Sequence, residues 1–203
     1  QDGGVIILAR HPITDAKELV YSDCEGGDCH AAKGFVYAAI EKSGRRYHVI
    51  ATHAQFGWQQ AESAAKRKQF RQIREFAARG LVIPDSEPVI VGGDFNMLRH
   101  EFRELQNADL LGALAPEFLG HPYTRETRND WVTHGNGYVD YVFALKHARA
   151  PAYSSNCPLV FRTRYDFEDG TLFSTVRGED LCDLSDHFAI WGISIFATRR
   201  RPA

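Results

Sequence analysis

The central stretch of this chain is Val89-Ile90-Val91-Gly92-Gly93-Asp94-Phe95-Asn96. It begins as a buried strand and turns at the two glycines. Because successive strand side chains point to opposite faces, Asp94 and Asn96 are predicted to face one way and Phe95 the other. A carboxylate and a carboxamide at the end of a strand suit metal or phosphate chemistry. The same residues also fit an Asp-Asn turn after a core strand, so partners elsewhere in the chain must decide.

Polar side chains recur at the ends of other predicted strands. They are His53 after residues 46–52, Asp140 within residues 137–145, and the pair Asp186 and His187 before residues 188–196. A histidine at a strand end often makes only a structural hydrogen bond, and Asp186-His187 also fits a simple turn. Asp140 lies among apolar neighbours, where a carboxylate needs a partner. It either makes a structural hydrogen bond or holds an imidazole in one tautomer. The recurrence of the pattern favours a shared functional site.

Strands outnumber helices in the predicted secondary structure. Two more strands are expected at residues 5–8 and 33–40, and a hairpin is expected at residues 160–165 and 171–176. This content predicts an α/β (α+β) protein, built as a two-sheet β-sandwich flanked by helices.

The main predicted helix covers residues 59–79 and is followed by Gly80. A second, short helix is expected at residues 101–105. The apolar face of the main helix consists of Phe70, Ile73, Phe76 and Ala77. Its basic residues are predicted to be mostly in solvent, namely Lys66, Arg67, Lys68, Arg71 and Arg74.

Length and composition indicate one domain over residues 1–203. Hydrophobic residues make up 44% of the chain, which is enough for a core. The net charge of −2 provides no overall basic field to attract nucleic acid. No stretch approaches the ~20 apolar residues that cross a membrane. The chain passes from Gln1-Asp2-Gly3-Gly4 directly into a predicted strand, so we expect it to be part of a longer protein.

The four cysteines are Cys24, Cys29, Cys157 and Cys182. Cys24 and Cys29 lie in a glycine-rich acidic loop, where they either close a small disulfide or leave one of them to pair elsewhere. Zinc is disfavoured because the spacing is not CxxC and no second pair lies nearby in the sequence. An even count favours an oxidising, and therefore a secreted or extracytoplasmic, location.

Four motifs occur together in chain order: Thr52-His53-Ala54-Gln55, Gly92-Gly93-Asp94-Phe95-Asn96, Tyr138-Val139-Asp140-Tyr141 and Ser185-Asp186-His187. In this order they resemble the motifs of the endonuclease/exonuclease/phosphatase superfamily, whose fold is that of deoxyribonuclease I. Within it, the chain is most similar to the neutral sphingomyelinases of the secreted bacterial type. The narrower resemblance rests on residues 3–13, 33–37 and 48–55.

The resemblance implies a Mg²⁺-dependent phosphodiesterase that hydrolyses sphingomyelin, a membrane lipid, to ceramide and phosphocholine, with Mn²⁺ or Co²⁺ as alternative metals. The implied roles are general base or acid for His187, its orientation for Asp140, water positioning for Asp94, phosphoryl contacts for Asn96 and His53, and a metal contact for Asp186. The residue chemistry agrees, because hydrolysis of a stable anionic diester needs an activated water and a protonated leaving oxygen.

A second implied feature is the pair Asp28 and Lys33, five residues apart, as in the Asp-to-Lys pair of neutral sphingomyelinases. The resemblance implies that Lys33 contacts the substrate phosphate and that Asp28 holds it; the alternative is a solvated lysine at the start of a strand. Phe56 and Trp58 either bind a lipid interface peripherally or pack inward. The predicted hairpin adds the aromatic residues Phe161, Tyr165, Phe167 and Phe173.

One departure from the family pattern concerns the first part of the domain. Relatives carry an asparagine and a metal-binding glutamate before the block that starts at Gly3, and this sequence contains neither motif. We therefore expect the domain to be N-terminally incomplete. Two alternatives stay open: a nuclease or phosphoinositide phosphatase of the same superfamily, and an inactive fragment that binds membranes or partners. The oligomeric state also stays open.

Overall fold

The fold is described from a computed structural model that places residues 3–103, 109–146, 148–161, 183 and 185–197. Its strands are β1 (Ile13–Val20), β2 (Gly34–Lys42), β3 (Arg45–His53), β4 (Val89–Asp94), β5 (Glu117–Phe118), β6 (Asp140–Ala144), β7 (Tyr153–Leu159) and β8 (Ala189–Ile195). Its helical elements are a 3-10 turn at Gly26–His30, α1 (Gln60–Glu75) and a π-helical turn at Phe76–Gly80. Among the helices of these residues, none combines the length and the apolar character needed to cross a bilayer.

The strands form two sheets. One sheet has the order β1-β2-β3-β4-β6, with β3 and β4 parallel and the other neighbours antiparallel. The other has the order β5-β7-β8. β6 packs against β7 and β8, and a Cβ atom added at Gly192 would lie 2.5 Å from Cβ of Val142. The two sheets therefore face each other closely, which confirms the predicted sandwich.

Helix α1 packs its apolar side against the five-stranded sheet. Phe70 and Ile73 are almost fully buried in the same core cluster as Val89, Val91 and Phe95. Burial of each side chain of this size contributes about 1.5–3 kcal/mol to folding. A capping box between Gln59 and Glu62 begins the helix, since each side chain accepts a hydrogen bond from the other residue's backbone N–H.

The prediction that Lys66 lies in solvent is wrong. Its exposed fraction is only 4%, and it lies four residues before Phe70 and seven before Ile73. Residues with this spacing share one face of an α-helix, so Lys66 lies on the buried face of α1. Lys68, by contrast, keeps 58% of its side chain exposed.

Three differences concern the strands. Residues 5–8 were predicted to be a buried strand, but in the described part of the chain they pair with no strand, and Ile6 and Leu8 are 73% and 86% exposed. β1 and β7 were not predicted. β1 carries several charged residues without a clear alternation and forms at the sheet edge by pairing with the backbone of β2. Residues 160 and 161 of the predicted hairpin belong to no strand, and the rest of it lies outside the described residues. Residues 104 and 105 of the short helix also lie outside them, whereas its residues 101–103 are helical.

Candidate active site

The register of the five-stranded sheet aligns three of the predicted site residues in one row. The parallel pairing of β3 and β4 places His53 opposite Asp94, and the antiparallel pairing of β4 and β6 places Asp94 opposite Asp140. His53 ends its strand, Asp94 ends the next, and Asp140 begins the third. These three side chains therefore lie side by side where β3 and β4 end and β6 begins.

The turn after β4 depends on a glycine and on a left-handed asparagine. Gly93 has φ +137°, and a Cβ atom there would lie 2.0 Å from the carbonyl oxygen of Thr52, so only glycine allows the two strands this approach. Asn96 has φ +47°, and its backbone N–H donates to Oδ1 of Asp94 at 2.7 Å. Its side-chain amide donates to the carbonyl oxygen of Ala54 at 3.0 Å. Phe95 points the opposite way and is fully buried in the core.

His187 and Asp140 form a close pair across the site. Nδ1 of His187 lies 2.8 Å from Oδ2 of Asp140. Since a carboxylate only accepts hydrogen bonds, Nδ1 carries the proton and Nε2 is left for other partners. Burial alone would lower the pKa of His187, but the hydrogen bond to Asp140 and the charges of Asp140, Asp94 and Asp186 outweigh it and raise the pKa overall. The pair can hold a proton and pass it on at Nε2.

The carboxyl group of Asp94 has a raised pKa. Burial, together with the neighbouring carboxylate of Asp140, raises the pKa of Asp94 to about 6. Nε2 of His53 lies 3.5 Å from Oδ2 of Asp94. Burial and the nearby charge of Lys33 lower the pKa of His53, which favours its neutral form.

A divalent cation fits this crowded donor set. Among the described residues, Asp94, Asp140 and His187 each offer a ligand atom, and these atoms lie within 4.8 Å of one another. Burial and the neighbouring charge of Asp140 raise the pKa of Asp94, and a cation beside the two carboxylates would offset both effects. Asp186, which the sequence proposed as the metal contact, has a side chain that is 54% exposed and lies outside this group.

Lys33 and Asp28 contact each other beside the row. Nζ of Lys33 lies 2.8 Å from Oδ2 of Asp28 and donates to the carbonyl oxygen of Ala54 at 3.0 Å. The same Asp28 oxygen accepts the backbone N–H of Phe56 at 2.6 Å. The lysine side chain is only 9% exposed, so a freely solvated lysine does not describe its position.

The Asp28 loop is closed by a disulfide between Cys24 and Cys29. Of the two pairings that the sequence left open, the local one is present. Gln55 is buried under this loop, accepts the backbone N–H of Glu25 at 2.9 Å and donates to its carbonyl oxygen at 3.1 Å. Cys157 is a half-buried free thiol, and Cys182 lies outside the described residues.

The site lines a cleft of about 860 Å³. The cleft is lined by seven of the site residues that the sequence predicted, namely Asp28, Lys33, His53, Asp94, Asn96, Asp186 and His187. Asp140 is joined to this wall through its hydrogen bond with His187. The structure therefore brings all of the predicted site residues to one place, although their roles stay predictions.

Arg125 belongs to the cleft wall and was not predicted. Its Nη1 donates to the carbonyl oxygens of His134 and Gly135 at 3.0 and 3.3 Å, and its Nε lies 4.0 Å from Oδ2 of Asp186. The residue comes from an irregular segment that no local pattern connects with the strand ends. The bridge between Arg125 and Gly137 brings it to the site, and the hydroxyl of the adjacent Thr124 accepts the backbone N–H groups of Val139 and Asp140.

Phe56 and Trp58 lie at the cleft rather than in the core. They are 53% and 46% exposed, and their ring centroids are 5.0 Å apart. The alternative that they pack inward is therefore wrong. Phe161 is also exposed, whereas Tyr165, Phe167 and Phe173 lie outside the described residues.

Comparison with known proteins agrees with this fold. Residues 1–187 match the endonuclease/exonuclease/phosphatase family, and the chain belongs to that family. A sphingomyelinase C 2 from Leptospira interrogans serogroup Icterohaemorrhagiae serovar Lai (strain 56601) is 31% identical over 212 residues, which cover 99% of this chain and 32% of the relative. The chain thus spans about a third of that relative's length.

Two solved structures resemble the whole described fold. The beta toxin of Staphylococcus aureus, in an F277A, P278A mutant with bound magnesium ions, matches with a TM-score of 0.83 and 27% identity, covering 95% of this chain and 68% of the toxin. Sphingomyelinase C from Streptomyces griseocarneus matches with a TM-score of 0.82 and 26% identity, covering 95% and 68%. The predicted resemblance to bacterial sphingomyelinases is confirmed by these comparisons.

Proposed function

We propose that this chain carries the catalytic site of a metal-dependent phosphodiesterase that hydrolyses sphingomyelin to ceramide and phosphocholine, and that residues 1–203 belong to a single, N-terminally incomplete domain of that enzyme. The observation that carries the proposal is the His187–Asp140 pair beside Asp94, at the wall of the large cleft. The relatives named sphingomyelinase C support the choice of substrate.

The metal of the proposed enzyme is Mg²⁺. Asp94 and Asp140 supply the carboxylate oxygens that this ion prefers, with His187 next to them and Asp186 at the cleft wall. When bound, the ion supplies positive charge to the phosphoryl oxygens and polarises a water molecule. The magnesium ions in the similar beta toxin structure support this choice of metal.

The residues of the chain move the protons of the reaction. Water adds to phosphorus, the bond between phosphorus and the ceramide oxygen breaks, and one water proton is transferred to that oxygen. Nε2 of His187 is the atom that handles this proton, because Nδ1 is held by Asp140. Asp94 orients the attacking water from its position beside His53.

Three further residues hold the phosphoryl group. Asn96 uses one amide hydrogen on Ala54 and keeps the other for a phosphoryl oxygen, and His53 donates from the other side of Asp94. Lys33 contributes positive charge from the cleft wall, where Asp28 keeps its ammonium group in place. Such preorganised donors stabilise charge that develops in the transition state.

The substrate resides in a membrane, and we propose that Phe56 and Trp58 contact its surface. Both rings are about half exposed at the rim of the cleft. Aromatic rings of this kind sit favourably at a lipid-water interface. The Cys24–Cys29 disulfide fits action in an oxidising, extracytoplasmic compartment.

The first test is phosphocholine release from sphingomyelin vesicles in Mg²⁺, followed by excess EDTA. The chain and a version extended at its N-terminus are measured in parallel. We expect that at least one of these two proteins releases phosphocholine and that EDTA abolishes the release. Cleavage of plasmid DNA or phosphoinositides without phosphocholine release would show that another activity of the superfamily is present, and turnover of none of these would leave a binding fragment.

A further inference from the structure

Lys66 is a buried cation behind the cleft. Only 4% of the residue is exposed, although lysine is almost never fully buried without partners. Its Nζ donates to the carbonyl oxygen of Gly57 at 3.0 Å and to the carbonyl oxygen of Asn96. Burial lowers the pKa of Lys66, while the carboxylates of Glu101 and Asp94 act in the opposite direction. Burial of a charged ammonium group is energetically unfavourable, so the position of Lys66 needs a structural explanation.

The two carbonyl groups belong to two separate loops of the site. Gly57 lies between the two rim aromatics, and Nζ of Lys66 lies 5.8 Å from the ring centroid of Trp58, which allows a cation–π contact. Asn96 follows Asp94 and has its backbone in the left-handed region at φ +47°, which a residue other than glycine rarely adopts. One ammonium group thus joins a loop that faces the lipid to a loop that faces the phosphate.

We propose that Lys66 is a positioning residue that clamps these two loops together and sets the place of the Asn96 amide and the Phe56–Trp58 pair. This inference rests on the proposed function. Without the ammonium group, both carbonyl oxygens would lose a buried donor, and Asn96 would lose a contact that holds its left-handed backbone. The expected consequences are a misplaced phosphoryl contact, which lowers kcat, and a looser aromatic pair, which raises the apparent KM for vesicles.

Three substitutions separate this role from mere helix stability. Lys66→Met keeps most of the apolar stem but removes every donor, while Lys66→Arg restores donors on a longer side chain. Lys68→Met is the matched control, since it makes the same change two residues along α1, at an exposed lysine whose partner is Asp23. All variants are compared with the unaltered protein well below their unfolding temperatures.

Two independent readouts are measured. The first is kcat and KM for phosphocholine release, where Lys66→Met is expected to lose about 10- to 100-fold in kcat/KM, the scale of a small misplacement of a catalytic group. Lys66→Arg should recover most of this loss, and Lys68→Met should lose nothing. The second readout is hydrogen exchange of the Phe56 and Asn96 amides, which donate to Asp28 and Asp94. Both should exchange faster in Lys66→Met alone.

The outcomes distinguish the inference from the proposed function. A folded Lys66→Met protein with unchanged exchange in both loops overturns the clamp, as does a variant that only unfolds at lower temperature but keeps its kcat. If neither the unaltered chain nor its extended version releases phosphocholine, the proposed function fails, but the exchange comparison still decides the clamp because it uses no substrate. Should Lys66→Met not fold, Lys66→Leu replaces it as a shorter side chain without donors, and exchange equal to the unaltered protein in both loops would overturn the proposal.

Discussion

We predict that a change at Asp140 lowers kcat because it disturbs the hydrogen bond to His187. Replacement Asp140→Asn keeps the size and shape of the side chain but turns one acceptor oxygen into an amide donor. The amide can then donate to Nδ1 of His187, which would move the imidazole proton to Nε2. That tautomer presents a proton where the attacking water needs a base.

The size of the effect follows from the geometry. The hydrogen bond spans 2.8 Å and joins the imidazole to a charged carboxylate. Hydrogen bonds to charged groups contribute about 1.5–3 kcal/mol, and each 1.36 kcal/mol changes a rate about tenfold, so loss of the bond alone lowers kcat about 10- to 200-fold. The reversed tautomer adds to this, as in the Ser-His-Asp triad, where the same substitution costs about 10⁴. We therefore expect a fall of about 10² to 10⁴.

The assay measures kcat for phosphocholine release at saturating vesicle concentration, over a series of Mg²⁺ concentrations that extends to saturation. Asp85→Asn, at an exposed acid of the loop before β4, is the control for the change of charge. Because Asp140 is also a candidate metal ligand, the Mg²⁺ series is essential: a defect in metal affinity alone is repaired by excess Mg²⁺, whereas a misoriented imidazole is not. Full recovery of kcat at high Mg²⁺, or normal kcat throughout, would refute the orientation of His187 by Asp140.

Four further predictions concern single features of the site. His187→Ala should abolish hydrolysis but leave the circular dichroism spectrum intact, and an active folded variant would remove the proposed mechanism. Lys33→Ala should lower turnover without unfolding the protein, and unchanged steady-state kinetics would speak against a contact with the phosphate. Gly93→Ala should destabilise the fold by more than about 1–3 kcal/mol in urea, since its Cβ atom meets the Thr52 carbonyl at 2.0 Å in a left-handed backbone; a smaller loss would mean that β3 and β4 can separate there. Addition of Mg²⁺ should raise the unfolding temperature, with about 2.7 kcal/mol at 100 times Kd, and Asp94→Asn should weaken that response; a metal-independent melting curve would contradict the proposed donor set.

Several features of the site could be predicted from local sequence alone. The alternation around Phe95 separates a core side chain from the polar Asp94 and Asn96, and the structure has Phe95 fully buried with the other two at the cleft. The four motifs also predicted the family, and the content of predicted strands predicted the sandwich. Both depend on strand periodicity and on residues close to one another in the chain, which a single sequence displays directly.

Other features could not be predicted because they depend on partners far away in the chain. Lys66 lies in a helix whose other basic residues suggested a solvated face, and only the loops at Gly57 and Asn96 explain why its ammonium group is buried. Arg125 reaches the cleft through a bridge to Gly137. Residues 5–8 are apolar like a core strand, yet apolar composition does not supply the hydrogen-bonded neighbour that a strand requires.

The sequence by itself determined which chemical groups stand at the strand ends and in what order, because side-chain alternation and turn residues act over a few neighbours. Only the tertiary structure decided that these groups meet. The pairing of β3, β4 and β6 sets His53, Asp94 and Asp140 in one row, and the last strand returns His187 to Asp140 across 47 residues. Strand register is a property of two backbones at once, so the geometry of the candidate site exists only when the sheet has formed.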